Sequence, residues 1–303
     1  MPATAVPLPV PGSDVRSFVP AGAAFDAGRL AALVKDIGIP PRPDLLDRLH
    51  AELSVERPQL EALVRVASSD VAVSAALVKV ANAPWLGLPR PIGTVQVAFE
   101  RLGTARCIAV LSALVLRRAL PCTGPSLERF WDVAQRRGIA MGWLARRHGL
   151  VEPDIAHSFG LFCDVGIPVL LQRFEQPSYR VTLAEANLGH RPFTEVEHAR
   201  HGVDHALVGA SMASNWGLSD DIVQAVALHH DYRIFGQADR PRRVQVLVAL
   251  ALVAERIIQR HQGLNRHGEW QLGGSAALLT LELTPHQFEG WADEVQAQLE
   301  LCF

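Results

Sequence analysis

Histidines, carboxylates, cysteines and arginines decide what chemistry this chain can do. Imidazole nitrogen and carboxylate oxygen suit a divalent metal that activates water. Imidazole alone serves as acid or base near neutral pH. Four groupings carry these residues: Cys163-Asp164, His201 with His205, His229-His230, and the pairs Arg117-Arg118, Arg136-Arg137, Arg146-Arg147 and Arg242-Arg243. His201 and His205 have the four-residue spacing of two ligands on one helical face. Gly202 and a cap at Asp204 break the helix between them, so they read as two separate hydrogen-bonded histidines. His229 shares a helical face with Ile222, Ala225 and Val226 and is expected inside, with His230 at the edge of that face. A buried histidine needs a partner for each ring nitrogen, which makes a structural polar cluster the expectation. Asp164 reads as capping the turn before Gly166. Adjacent arginines on a helix splay about 100° apart, so the four pairs read as solvated surface.

Apolar periodicity and caps place these residues on helices. Helices are predicted over Asp26 to Ile37, Pro43 to Leu53, Gln59 to Ala67 and, capped by Asp70, on through Val80. Pro84, Pro89, Pro91 and Gly87 forbid a helix between Asn82 and Pro91. Trp85 in that loop is the tryptophan best placed for an exposed contact; Trp131, Trp143 and Trp216 read as core. Thr94 caps Val95 to Leu102, Gly103 ends it, and Thr104 to Ala119 follows as a buried helix. Leu127 to His148 and Asp154 to Asp164 come next, and Gly166 and Pro168 disturb any continuation. Thr194-Glu195-Val196-Glu197 matches a capping box. Asp204 caps a helix through Trp216, and Ser219 caps the one ending in His229-His230. Val244 to Gln259 and a helix starting at Thr284-Pro285 complete the set. Leu278 to Leu283 alone reads like a strand, too short for a sheet. The fold class expected is all-α.

Composition excludes several functions. The 303 residues are 49% hydrophobic and 20% charged, which rules out global disorder. Lys+Arg of 29 against Asp+Glu of 31 leaves a net charge of -2, with no bulk field for nucleic acid or anionic lipid. Val246 to Ala254 is an apolar run of nine residues, short of the ~20 that a membrane helix needs. Prolines stand where a signal peptide would be apolar. Cys107, Cys122, Cys163 and Cys302 lack close spacing and read as reduced thiols in the cytoplasm. Residues 1–23 read as an extended arm.

Several segments, in order, carry a family likeness. Val80-Ala81-Asn82-Ala83 is followed by Pro91-Ile92-Gly93-Thr94 and Ala98-Phe99-Glu100-Arg101-Leu102-Gly103. Gly160-Leu161-Phe162-Cys163-Asp164-Val165-Gly166 looks like the segment Gly-Leu-Leu-His-Asp-Ile-Gly. Asp204-His205-Ala206-Leu207-Val208-Gly209-Ala210, Asn215-Trp216-Gly217-Leu218 and Ala225 to His230 then follow. Together these resemble the HDOD domain, over about residues 37 to 235. The resemblance implies a multi-helix bundle related to the HD phosphohydrolases and a role in bacterial signal transduction. It assigns 24–235 to the domain and 236–303 to a C-terminal helical extension packed on it.

An HD hydrolase uses a histidine, a His-Asp doublet and a later aspartate. Here Val133 matches the first histidine and Cys163 replaces the doublet's. The last aspartate falls near Leu252, and Glu255 is the only carboxylate on its helix. With at least two of four ligands gone, the resemblance implies no catalytic residue, no resident metal and no cofactor. Cys163, Asp164, His205, His229 and His230 remain as candidates for a vestigial pocket, in which Asp164 or His205 would partner His229. The function expected is a non-catalytic regulatory protein that binds other signalling proteins. A metal-dependent phosphohydrolase with altered ligands, and a nucleotide or small-molecule sensor in the same pocket, are the alternatives. Self-association stays open.

Overall fold

The structure, a computed structural model, describes residues 27–82, 91–120, 125–188, 191–263 and 268–302. The expected N-terminal arm, and Trp85 with most of its proline loop, lie outside the described residues. Among the described residues the chain is helical, with no strand. The N-terminal part holds α1 (Ala27–Leu33), α2 (Asp44–Leu53), α3 (Leu60–Ala67), α4 (Val71–Ala81), α5 (Val95–Leu102) and α6 (Thr104–Ala119). The centre holds α7 (Pro125–His148), α8 (Pro153–Phe162), α9 (Gly166–Arg173), α10 (Tyr179–Ala186), α11 (Phe193–His201), α12 (His205–Asn215) and α13 (Asp220–Leu228). The chain closes with α14 (Arg242–His261), α15 (Gly268–Thr280) and α16 (Pro285–Cys302).

Capping chemistry explains several boundaries. Asp70 accepts a hydrogen bond from the Val73 amide at 2.9 Å, Thr94 from that of Val97 at 3.2 Å, and Asp204 from that of Leu207 at 2.9 Å. Asn82 closes the proline loop across its base. Its Oδ1 accepts from the Ile92 amide at 2.7 Å and its Nδ2 donates to the Ile92 carbonyl at 2.8 Å.

Other boundaries differ from expectation. The capping box at Thr194 does not form: α11 starts at Phe193 behind Pro192, so Thr194 lies inside the first turn and Glu197 is free to turn inward. Ser219 precedes α13 without a side-chain cap bond. Helices α9, α10 and α15 were not expected. Pro168 lies in the first turn of α9, where a missing N–H forfeits no helical bond. The strand-like Leu278 to Leu283 is the end of α15 and the turn after it.

One hydrophobic cluster runs from Leu30 to Leu299. At its centre α7 lies along α8, and a Cβ on Gly160 would stand 2.8 Å from the Gly138 Cα. The start of α9 presses on the start of α12 more closely still, since a Cβ on Gly166 would stand 2.1 Å from the His205 carbonyl oxygen. Helix α14 is buried along most of its length, from Val244 to Ala254. The stretch Pro153–Arg173, which holds α8 and α9, is long and apolar enough to cross a membrane, yet 72% of its 18-residue apolar window is buried inside the fold.

Candidate functional site

Six segments meet beside the α9–α12 seam. The turn between α8 and α9 supplies Cys163 and Asp164, and α7 supplies Arg137. Glu197 comes from α11 and His205 from the first position of α12, where the Asp204 cap holds the helix start. His229 and His230 follow the last turn of α13. Glu269 comes from α15.

Arg137 is 2% exposed. Its Nη1 donates to Asp164 Oδ2 at 2.6 Å and its Nε to the Gly160 carbonyl at 2.9 Å. Reading Arg136-Arg137 as solvated surface therefore fails for its second member. Arg136 pairs with Asp132 at 2.8 Å. The pairs elsewhere keep Arg118, Arg146, Arg147 and Arg242 exposed. The signal for Arg137 was present in the sequence. It lies in the stripe Phe130, Ala134, Arg137, Met141, Leu144, where every other member is apolar.

The three histidines converge. His205 Nε2 lies 3.2 Å from His229 Nε2, 3.1 Å from His230 Nε2 and 3.5 Å from Asp164 Oδ1. His229 Nε2 is 3.2 Å from the same Asp164 oxygen. The other ring nitrogens all face acceptors: Glu197 at 2.7 Å from His205 Nδ1, the Val226 carbonyl at 2.7 Å from His229 Nδ1, and Glu269 at 3.1 Å from His230 Nδ1. Carbonyl and carboxylate oxygens only accept, so each Nδ1 carries a proton and donates it. Neutral rings would then turn three Nε2 lone pairs and a carboxylate on one another. The centre needs a proton or a cation.

The electrostatics agree. Burial opposes charge on His205, but Glu197 and Asp164 raise its pKa to about 10. Burial also opposes the Asp164 carboxylate, yet Arg137 and hydrogen bonds from His205 and His229 hold it well below the usual range. Glu269 resists burial through His230 and Tyr232 and falls to about 2. Glu255 goes the other way: burial, with Asp164 and Glu269 beside it, pushes it up against the pull of Arg137.

A metal would meet the same need. The ligand atoms of Asp164, His205, His229 and His230 all lie within 4.8 Å of one another. In a tetrahedral site with bonds of about 2.0–2.1 Å, ligand atoms stand about 3.3 Å apart. Four of the six separations among them span 3.1 to 3.5 Å, and the set as a whole is bounded at 4.8 Å. Each ring is oriented from behind, as metal-binding histidines are. The expectation of no metal rests on Val133 and Cys163, and neither belongs to this set. Val133 lines the neighbouring cavity. Cys163 is buried beside His229.

His201 is not part of the site. Its Nε2 bonds Thr182 at 2.8 Å and its ring packs 4.4 Å from that of Phe174, as the break at Gly202 requires. His229 lies inside as expected, with both Asp164 and His205 as partners. His230 is less peripheral than expected, at 10% side-chain exposure. Glu197 and Glu269 escaped sequence reasoning: the capping-box pattern claimed the first, and the unrecognised α15 carried the second. Leu252, the position matched to the last aspartate, is buried in the core, while Glu255 lines the cavity.

The HDOD domain family matches residues 39–232. An uncharacterized protein of Treponema pallidum (strain Nichols) is 27% identical over 209 residues, which is 67% of this chain and 40% of that protein. An HDOD domain protein of unknown function from Geobacter sulfurreducens superposes with a TM-score of 0.61 at 18% identity, over 90% of this chain and 96% of that one. A Shewanella amazonensis SB2B protein provisionally named a phosphohydrolase gives 0.65 at 20% identity, over 88% and 94%. One from Marinobacter aquaeolei VT8, provisionally named a signal transduction protein, gives 0.62 at 21%, over 88% and 58%. These structural likenesses establish the fold.

Proposed function

The chain belongs to the HDOD domain family, and from that premise we propose that it is a regulatory protein of bacterial signal transduction that acts by binding and not by hydrolysis. The observation that carries this reading is the 2.6 Å ion pair between Arg137 and Asp164. A hydrolytic HD site would give this carboxylate to a metal. Here one oxygen is taken by a buried guanidinium, and the other faces His205 and His229. Val133 in place of the first histidine and Cys163 in the doublet support the same conclusion. The partner class is another signalling protein, met in the cytoplasm. A net charge of -2 supports no role for nucleic acid.

The convergent Nε2 atoms favour a second reading, a metal-dependent phosphohydrolase with altered ligands. Asp164, His205, His229 and His230 would hold the metal, which would supply Lewis-acid activation of water. The two readings separate on turnover. Assayed with added Mn2+ against a phosphodiester and a cyclic dinucleotide, the protein is expected to give no product above the Asp164→Ala background. Turnover that Asp164→Ala abolishes, with about one metal per chain by elemental analysis, establishes the second reading instead.

A further inference from the structure

Beside the histidine cluster lies a cavity of about 530 Å³, within the size range of small-molecule sites. Its apolar lining includes Phe130 and Val133 from α7, Ile167 and Leu171 from α9, and Phe193 from α11. Arg129, Arg180 and Arg191 also line it, and Arg137 stands among its lining residues beside Asp164. Arg191 is engaged with Glu185 at 2.9 Å.

Arg137 has a chemical demand that the fold does not meet. Its Nε and Nη1 are bonded, but its buried Nη2 finds no hydrogen-bond partner among the described residues. Glu255, also in the lining, accepts from Gln259 Nε2 at 3.0 Å and is pushed toward its neutral form by burial. A guanidinium nitrogen offers donors only, so the missing partner must be an acceptor, and a charged one bonds most strongly.

We propose that this cavity binds a small organic anion. A phosphate or carboxylate group accepts from Arg137 Nη2, and an apolar or aromatic body lies along Phe130, Val133, Ile167, Leu171 and Phe193. The outer arginines draw the anion in. This deepens the binding reading above and rests on it: the anion is an input to the regulatory protein, touching α7, α9 and α11 together.

The test is calorimetry on the full chain after dialysis against EDTA, so that no metal supplies the affinity. The probes are inorganic phosphate, guanosine 5′-monophosphate and octanoate; the last two separate a phosphate source from a carboxylate one. One of the two organic anions is expected to bind at least tenfold more tightly than inorganic phosphate. Arg137→Gln is expected to abolish that binding, and because it also removes the buried ion pair with Asp164, Val133→Phe is the second variant. It fills the cavity, leaves every ion pair in place, and is expected to weaken binding at least tenfold while the chain melts cooperatively. Binding of neither organic anion at millimolar concentration overturns the proposal, as does binding that Val133→Phe leaves unchanged. Failure of the anion to bind leaves the partner-binding reading standing, and phosphoester turnover would sink that reading without touching the anion site.

Discussion

Asp164 holds its place through two neighbours, the Arg137 guanidinium on one oxygen and the His229 ring on the other. His229 announces itself by type and by position on a helical face, and Asp164 by its place in the family's doublet. Arg137 shows itself only through its place in an otherwise apolar stripe, and Glu197 and Glu269 not at all, because charged residues are usually solvated and only the packing of other helices encloses these two. The enclosure has measurable consequences. His229→Ala removes a ring bonded at both nitrogens, and a loss of about 1–3 kcal/mol is expected from the groups left unsatisfied. His230→Ala should cost a comparable amount, since its ring spans His205 and Glu269. Urea denaturation of the two variants checks this, and a His230→Ala protein as stable as the parent would contradict the described network. Arg137→Ala leaves Asp164 without its cation, for which the usual cost is about 3–5 kcal/mol. The lower end applies here because the Asp164 side chain is 21% exposed. The same denaturation series, repeated in the Asp164→Asn background, should show the loss shrink.

Among elements, caps were legible and compact junctions were not. Asp70, Thr94 and Asp204 work where the sequence places them, because a cap depends on neighbours three residues away. Helix α9 was hidden because Gly166 and Pro168 look like breakers. Gly166 is there for another reason: the backbone of α12 occupies the space of its side chain. Helix α15 was hidden by Gly273 and Gly274, where added Cβ atoms would strike the Tyr232 ring at 2.4 Å and the Trp270 ring at 2.7 Å. Gly166→Ala should therefore destabilise by at least the 1–3 kcal/mol typical of overpacking, with a lowered melting temperature. Gly290 is the matched control. It sits exposed in α16 with nothing within 4 Å of an added Cβ, so Gly290→Ala should gain about 0.5–1 kcal/mol from helix propensity. Thermal melts of the two variants should move in opposite directions.

Over the whole molecule, acid is the expected weakness. His157 is buried on α8, and burial lowers its pKa from 6.5 to about 4. The unfolded chain binds this proton more readily, so stability is full above pH 6.5 and falls as pH drops toward 4. The contribution at stake is on the order of 2–3 kcal/mol. His157→Asn should flatten that limb of a stability–pH curve measured by denaturant titration; an unchanged slope between pH 6.5 and 4 would refute the assignment. The all-α architecture was legible from periodicity, whereas the depth of α14 was not, because a helix beyond the family segment looks like an appendage in sequence and this one is buried from Val244 to Ala254. The family likeness stops at residue 232, yet Glu255 and Glu269 reach the site from beyond it. That placement has a consequence during synthesis. A ribosome that has delivered His205 and His229 has not yet delivered the helix that fills the core or the carboxylate that holds His230. The nascent chain must carry a half-wired histidine cluster and an unfilled apolar trough until α14 and α15 clear the exit tunnel, and over that interval it is a client for whatever shields exposed hydrophobic surface in the cell.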